Sequence, residues 1–325
     1  MRKIIAVAVV NFVVLSVFAQ QDAQFSMNYF NRLAINPAYA GMNGALCTTV
    51  LYRNQWLGFS GAPQTGLVSV DYGRVLGGGV GLTIDQDQAG FLKFTSAKIA
   101  YSYHKVLNVG TLGMGLDAGF IQSSISGNFV APNGLTNDAL IPWGGANGKN
   151  IYDIGAGLYY KTRKLYVGLS TSHLPQEQIS AGGILPTGSV NLGGSTNWTY
   201  NFQEARNYYL MVGYSFFPSQ QWEITPNLFV KSVVAATQVD ASVMAKYKLS
   251  NGGLFGGTSF RPGDAVVAIV GWEQKLDKRL SYKAGFSYDF PVSNINSSSL
   301  EFMLNFCYKI VPDRKSASHM NVRFL

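Results

Sequence analysis

Apolar and polar side chains alternate with a period of two along most of this chain. In KLYVGLSTS, Leu165, Val167 and Leu169 alternate with Tyr166, Gly168 and Ser170. In QVDASVMAKYKL, Val239, Ala241, Val243, Ala245 and Tyr247 oppose Asp240, Ser242, Met244, Lys246 and Lys248. In RLSYKAGFSYDF, Leu280, Tyr282, Ala284, Phe286 and Tyr288 oppose Ser281, Lys283, Gly285, Ser287 and Asp289. This period sends successive side chains to opposite faces of a strand. One face is apolar, and the other carries Lys, Asp, Ser and Gly. Fourteen such segments are predicted, near 46–58, 64–74, 76–85, 91–106, 110–123, 150–161, 165–173, 206–217, 221–231, 237–248, 253–260, 265–275, 280–289 and 299–310. Most reach the ~9–11 residues that a tilted membrane strand needs. No stretch reads as a helix.

The connections carry a second pattern. The even-numbered ones are short: RVL, LNVG, TRK, PSQQ, LSNGG and LDKR. The odd-numbered ones vary, and two are long, about 124–149 and 174–205. Short turns alternating with longer loops fit an all-β fold, a transmembrane outer-membrane β-barrel of about 14 antiparallel strands. An even strand number returns both ends of the barrel to the periplasmic side. A secreted β-sandwich, or a pair of them, would alternate as well. The Gly- and Ser-rich polar face and the aromatic ends of the apolar faces favour the barrel. Closure also satisfies every backbone group inside lipid without leaving an edge.

Composition places that barrel in a compartment. Arg2 and Lys3 precede an apolar run, Ile4 to Val17, and Val17-Phe18-Ala19 fits a small-residue cleavage rule. Residues 1–19 read as a signal peptide; a membrane anchor would need a longer run. No Cys stands at the cleavage point, which argues against a lipoprotein. Removing Arg2 and Lys3 takes the formal charge from +8 to +6. Charged residues are 13 %, well below the ~25 % of soluble domains. Two cysteines exclude a disulfide-dense scaffold. The basic residues are spread along the chain and do not argue for nucleic acid as a partner. The expected organisation is 1–19 signal peptide, 20–44 periplasmic or lumenal plug segment, 45–310 barrel and 311–325 periplasmic tail.

Catalytic chemistry is not expected. His104, His173 and His319 share no metal-ligand spacing with a Cys or carboxylate. No Ser-His-acid set can be picked out. His173 falls in phase with the apolar face of its strand and reads as an interfacial residue at the outer rim. DQDQAG, from Asp85 to Gly90, lacks the Glu of a calcium loop, since Ser96 stands at the twelfth position; it reads as an outer hairpin turn. GGGVGL, residues 77–82, precedes no helix and so is not a phosphate loop; its small residues ease packing inside a barrel. No cofactor and no metal is expected.

The segment QFSMNYFNRLAINPAYAG, residues 24–41, suits neither helix nor strand throughout. It resembles the N-terminal signature of the PorP/SprF family, outer-membrane proteins of the type IX secretion system. The matching residues are Gln24-Phe25-Ser26, Tyr29, Asn31 and the run Asn36, Pro37, Ala38, Tyr39, Ala40 and Gly41. Tyr52-Arg53-Asn54-Gln55-Trp56 and Pro63-Gln64-Thr65 are similar to the family's first hairpin. The resemblance is specific over about residues 20–120 and departs at Arg32-Leu33-Ala34, where the family often carries a more apolar stretch. It implies a non-enzymatic barrel that exports or anchors an adhesin-type surface protein through its C-terminal sorting domain. It also implies secretion machinery as periplasmic partner and, for several members, gliding motility. An outer-membrane channel for small or hydrophobic solutes is the rival.

Physically, Phe25, Tyr29, Phe30 and Tyr39 can pack inside the barrel. Asn28, Asn31, Asn36 and Asn43 can bond free turn backbone, and Pro37 holds Asn36 away from helical geometry. The long loops hold Phe129, Trp143, Trp198, Tyr200 and Phe202, a density that fits either a protein-binding surface or loops folded over the pore. The tail VPDRKSASHMNVRFL is basic. It fits either a contact to the machinery or a disordered end. Cys47 and Cys307 fall at one height on neighbouring strands of a closed barrel. Cys47 shares a face with Thr49 and Arg53, and Cys307 with Glu301, Asn305 and Lys309. Opposed residues of an antiparallel pair have Cα atoms about 4.5–5.5 Å apart, within the ~4.4–6.8 Å of a disulfide. A clasp across the seam and two unpaired small residues both fit that register.

Overall fold

The computed structural model describes residues 22–126, 146–148, 150–184, 197–233, 236–293 and 297–310. The expected signal peptide and tail lie outside them.

Fourteen strands of the described residues form the barrel wall: β1 Leu46–Asn54, β2 Gln64–Val75, β3 Gly78–Ala89, β4 Leu92–Val106, β5 Thr111–Ile125, β6 Ile151–Lys161 and β7 Leu165–Ser172. They continue as β8 Asn207–Tyr214, β9 Trp222–Val233, β10 Ala236–Leu249, β11 Gly252–Arg261, β12 Ala265–Lys275, β13 Leu280–Pro291 and β14 Ser299–Tyr308. Each pairs antiparallel with its neighbours in sequence, and β1 pairs with β14 from Leu46↔Tyr308 to Asn54↔Leu300. The barrel is therefore closed. All fourteen expected segments coincide with these strands.

Short turns gather at one rim with the start of β1 and the end of β14. At the β2–β3 turn, Leu76 and Gly77 both take positive φ, 47° and 81°, which matches a tight hairpin to the strand twist. The other rim holds the longer connections. The expected loop 174–205 contains a hairpin of its own, Gln178–Ile184 paired with Asn197–Gln203. DQDQAG continues the strand as far as Ala89. Asp85 and Asp87 sit on β3, where they accept hydrogen bonds from Ser96 and Thr65 at 2.5 and 2.6 Å. The turn follows at Gly90-Phe91. The register explains the shift, because Ala89 still pairs with Leu92.

Outward positions are apolar and exposed, among them Ile99, Leu116, Leu158, Leu254 and Phe302. This is the face a bilayer would cover. The buried core lies on the inside. One cluster joins Met27 to Leu51, Leu67, Phe255, Val267 and Met303, with Phe25 and Phe30 against it. A second joins Ala38 to Tyr159, Tyr166, Tyr209 and Phe229, with Tyr29, Ile35 and Tyr39 against it. Both clusters combine inward side chains of the wall with residues that precede β1. Within that preceding segment, Arg32–Ile35 forms one helical turn and Pro37–Tyr39 a 3-10 turn.

Candidate functional site

The residues before β1 meet the wall at several levels. Towards the long-loop rim, Ser26 enters an ion network. Its hydroxyl donates to Asp289, 2.8 Å from each carboxylate oxygen, and accepts from Arg53 Nη1 at 2.8 Å. The backbone N–H groups of Ser26 and Met27 donate to the two oxygens of Glu301 at 2.7 and 2.9 Å. Arg53 is paired with Asp289 and Glu301 at 2.8 and 3.2 Å. Arg261 joins through Asp240 and Asp264, both at 2.8 Å. Strand alternation aims these groups inward, because Arg53 and Glu301 face each other across the β1–β14 seam. A charge buried this deeply needs a partner, and each of them has one.

At the middle level Arg32, the departure from the family pattern, is enclosed by aromatic rings. Its guanidinium lies 4.4 Å from the Tyr29 ring centroid and 4.1 Å from that of Tyr166, and Nη1 donates to the Tyr159 hydroxyl at 2.8 Å. Such cation–π contacts stabilise a desolvated cation. Asn31 is 1 % exposed, and its carboxamide has no partner among the described residues.

Lower down, Asn36 is extended at φ −141°, ψ 110°, as a residue before proline should be. Its side chain accepts from Ala38 N at 2.9 Å and donates to the carbonyls of Leu158 and Leu169 at 3.0 and 3.1 Å. It thus binds β6 and β7 at once. The wall is glycine here for a steric reason: a Cβ at Gly157 would lie 2.1 Å from Asn36 Oδ1. Gly41, at φ +68°, donates its N–H to Asp71 at 3.0 Å, and a Cβ there would lie 2.6 Å from Gly73 Cα and Gly79 Cα. Gly79 belongs to the GGGVGL stretch, whose small residues do make room inside the barrel. Beside this level Cys47 and Cys307 oppose each other with Cα atoms 4.1 Å apart, joined as a disulfide.

The remaining group involves His173, and here the sequence-based expectation needs correcting. His173 has φ +56° and is buried on the inner side rather than lipid-facing. The left-handed residue ends the alternation of β7 and turns the ring inward. Nε2 lies 2.7 Å from Asp22 Oδ1 and Nδ1 3.0 Å from Asp153 Oδ2. Asp22 also accepts from Tyr209 and Ser172, and its carbonyl from Lys231. Burial would lower the His173 pKa, but the flanking carboxylates of Asp22 and Asp153 push it up to about 10. Burial would raise that of Asp22, yet His173 and Lys231 hold it far below the usual carboxylate range. Burial pushes Glu204 up to about 7. Ligand atoms of Asp22, His173 and Glu204 lie within 4.8 Å of one another. Both ring nitrogens of His173 face carboxylates, which pair with the ring as an imidazolium. The arrangement is an ion network.

Of the expected loop residues, Phe129 and Trp143 lie outside the described residues. Trp198, Tyr200 and Phe202 occupy alternate positions of the outer hairpin, paired with Gly183, Ala181 and Ile179. Sequence reasoning missed the acceptors of the N-terminal segment, Asp289 and Glu301. Their signal was present as acids on the inward faces of β13 and β14.

A closed fourteen-stranded antiparallel barrel with an apolar outside and a polar, charged inside is an outer-membrane β-barrel. The chain is similar to the CymD monoaromatic hydrocarbon channel, at 14 % identity over 85 % of this chain and 91 % of that one, TM-score 0.52. It is similar to the toluene transporter TbuX of Ralstonia pickettii, at 12 % identity over 86 % and 93 %, TM-score 0.53. A FadL homologue of Pseudomonas aeruginosa follows at 12 % identity over 84 % and 92 %, TM-score 0.50. At such identities the likeness is one of fold. No curated protein matches the chain. The family model of the type IX secretion system membrane protein PorP/SprF matches residues 17–308, and the chain belongs to that family. Its place is the outer membrane.

Proposed function

We propose that this protein is a plugged outer-membrane barrel that binds, helps export or anchors a type IX-secreted surface protein. Residues 20–44 are the plug, the short-turn rim faces the periplasm and its secretion machinery, and the long-loop rim receives the cargo. The cargo is an adhesin-type protein held through its C-terminal sorting domain, and motility by gliding is the process such a pair would serve. The observation that carries the reading is the bonding of Ser26 and Met27 to Asp289 and Glu301 from inside the wall. A lumen crossed by a bonded segment suits a platform better than a conduit. The rival, a conduit for hydrophobic solutes like the channels named above, requires a path past that segment. Affinity capture of the tagged protein from native outer membrane, read by mass spectrometry, tests the proposal. One co-purifying protein with a sorting domain is expected. Solute flux into liposomes by the partner-free barrel, with no such protein captured, would overturn it.

A further inference from the structure

Charge is sorted between the two rims. Basic residues that are scattered in sequence meet at the short-turn rim, where Arg74, Lys105, Arg163, Lys164, Lys278 and Arg279 are all exposed. Acids there are few and engaged. Glu223 pairs with Lys248 at 3.1 Å and Glu273 with Lys246 at 2.6 Å. Asp277 accepts from the N–H groups of Arg279 and Leu280 in its own turn. At the opposite rim acids predominate: Asp85, Asp87, Asp153, Asp264 and Glu204 gather there, while Lys98 is held by Asp153, Lys231 by the Asp22 carbonyl, and Arg53 and Arg261 are consumed in ion pairs.

The short-turn rim also has a mouth, an open cleft of about 250 Å³. Lys161, Arg163, Lys164 and Lys283 line it beside Glu223, which Lys248 already holds, with Tyr29 and Phe30 among its aromatic surfaces. The cations are poorly matched. Arg163 and Lys164 have no acidic partner among the described residues. Lys161 donates to the amide oxygen of Asn43 at 3.1 Å, and Lys283 lies 3.7 Å from a Glu273 that Lys246 already holds.

We propose that this cleft docks an acidic, aromatic- or aliphatic-bearing segment of a partner polypeptide. The proposal rests on the reading that the short-turn rim faces the periplasm. Two features select a polypeptide over an anionic lipid headgroup. Lys161 and Lys283 lie on the inward faces of β6 and β13, ringed by the wall, whereas a leaflet touches the barrel from outside. The ring surfaces of Tyr29 and Phe30 also offer apolar contact beside the charges. The chain's own tail is excluded by charge, since Arg314, Lys315 and Arg323 outweigh Asp313.

The experiment uses the full-length mature protein in detergent and a fluorescent Asp/Glu-rich peptide bearing one Trp as the probe. Lys161→Glu with Lys164→Glu reverses charge in the cleft. Arg74→Glu with Lys105→Glu makes the same charge change elsewhere on the rim. The cleft variant should bind the peptide at least about tenfold more weakly, the rim variant should stay near wild type, and added salt should weaken wild-type binding. Heat-modifiable migration checks that each variant is folded. Equal losses in both variants, no wild-type binding, or binding to anionic phospholipid vesicles but not to the peptide would overturn the proposal. Cargo capture at the other rim is a separate readout. Its failure with peptide binding intact breaks the proposed function alone, and the converse breaks the cleft alone.

Discussion

Glu301→Gln is the sharpest perturbation of the contacts that hold residues 22–44 against the wall. The carboxylate is fully buried and accepts three donors: Ser26 N–H at 2.7 Å, Met27 N–H at 2.9 Å and Arg53 Nη1 at 3.2 Å. Glutamine keeps the volume but removes the charge, and its NH₂ group cannot accept. At least one of the three donors loses its acceptor, and Arg53 keeps Asp289 at 2.8 Å as its main counter-charge. The Arg53–Glu301 pair lies within the wall and persists when the segment leaves, so only the bonds to Ser26 and Met27 count, each to a charged acceptor and each about 1.5–3 kcal/mol. Weakening both places the change at about 3 kcal/mol. Every 1.4 kcal/mol is tenfold, so the undocked population of residues 22–44 should rise roughly a hundredfold. Two assays read this: the rate of protease cleavage within residues 22–44 in detergent, and the frequency of conducting events in planar bilayers. Both should rise in a barrel that still shifts on heating. Wild-type cleavage and conductance in a folded Glu301→Gln barrel would refute the argument, because the bonds to Ser26 and Met27 would then not hold the segment in place.

Three further outcomes test the remaining readings. Trp143→Ala with Trp198→Ala should release the cargo while the barrel stays heat-modifiable; retained cargo would count against the loops as the binding surface. Non-reducing mass spectrometry should find Cys47 joined to Cys307, and Cys47→Ser should lower the unfolding midpoint. The entropic gain for a closed loop spanning 260 residues is about 5.6 kcal/mol as an upper figure, and two thiols alkylated without reduction would remove the clasp. His173 is raised in the folded state, so its stabilising pairs with Asp22 and Asp153 are full below its ordinary value near 6.5 and are lost as pH rises to about 10. Protease access at residues 22–26 should therefore rise across that window. His173→Gln should abolish the rise, and an unchanged alkaline profile in that variant would assign the titration to another group.

The strands were legible in the sequence because a wall one residue thick writes its two environments directly into alternate positions. Leu165, Val167 and Leu169 face outward for the same reason that Tyr166, Gly168 and Ser170 face inward, and no distant residue is needed to know it. The pairing of Cys47 with Cys307 was legible too, as one of two readings, since closure and an even strand number place the first and last strands side by side. What lay beyond the sequence was anything that depends on crossing the lumen. Nothing local tells Ser26 that its acceptors are Asp289 and Glu301, more than 260 residues away. His173 escaped the alternation through a single left-handed residue, which no period can report. The scattered basic residues looked uniform along the chain, yet they fall at hairpin turns, and closing the barrel brings one turn from every second connection to the same rim. The local pattern encodes which way each side chain faces. Which side chains meet is set by circumference and closure, because those distances exist only once β1 has found β14.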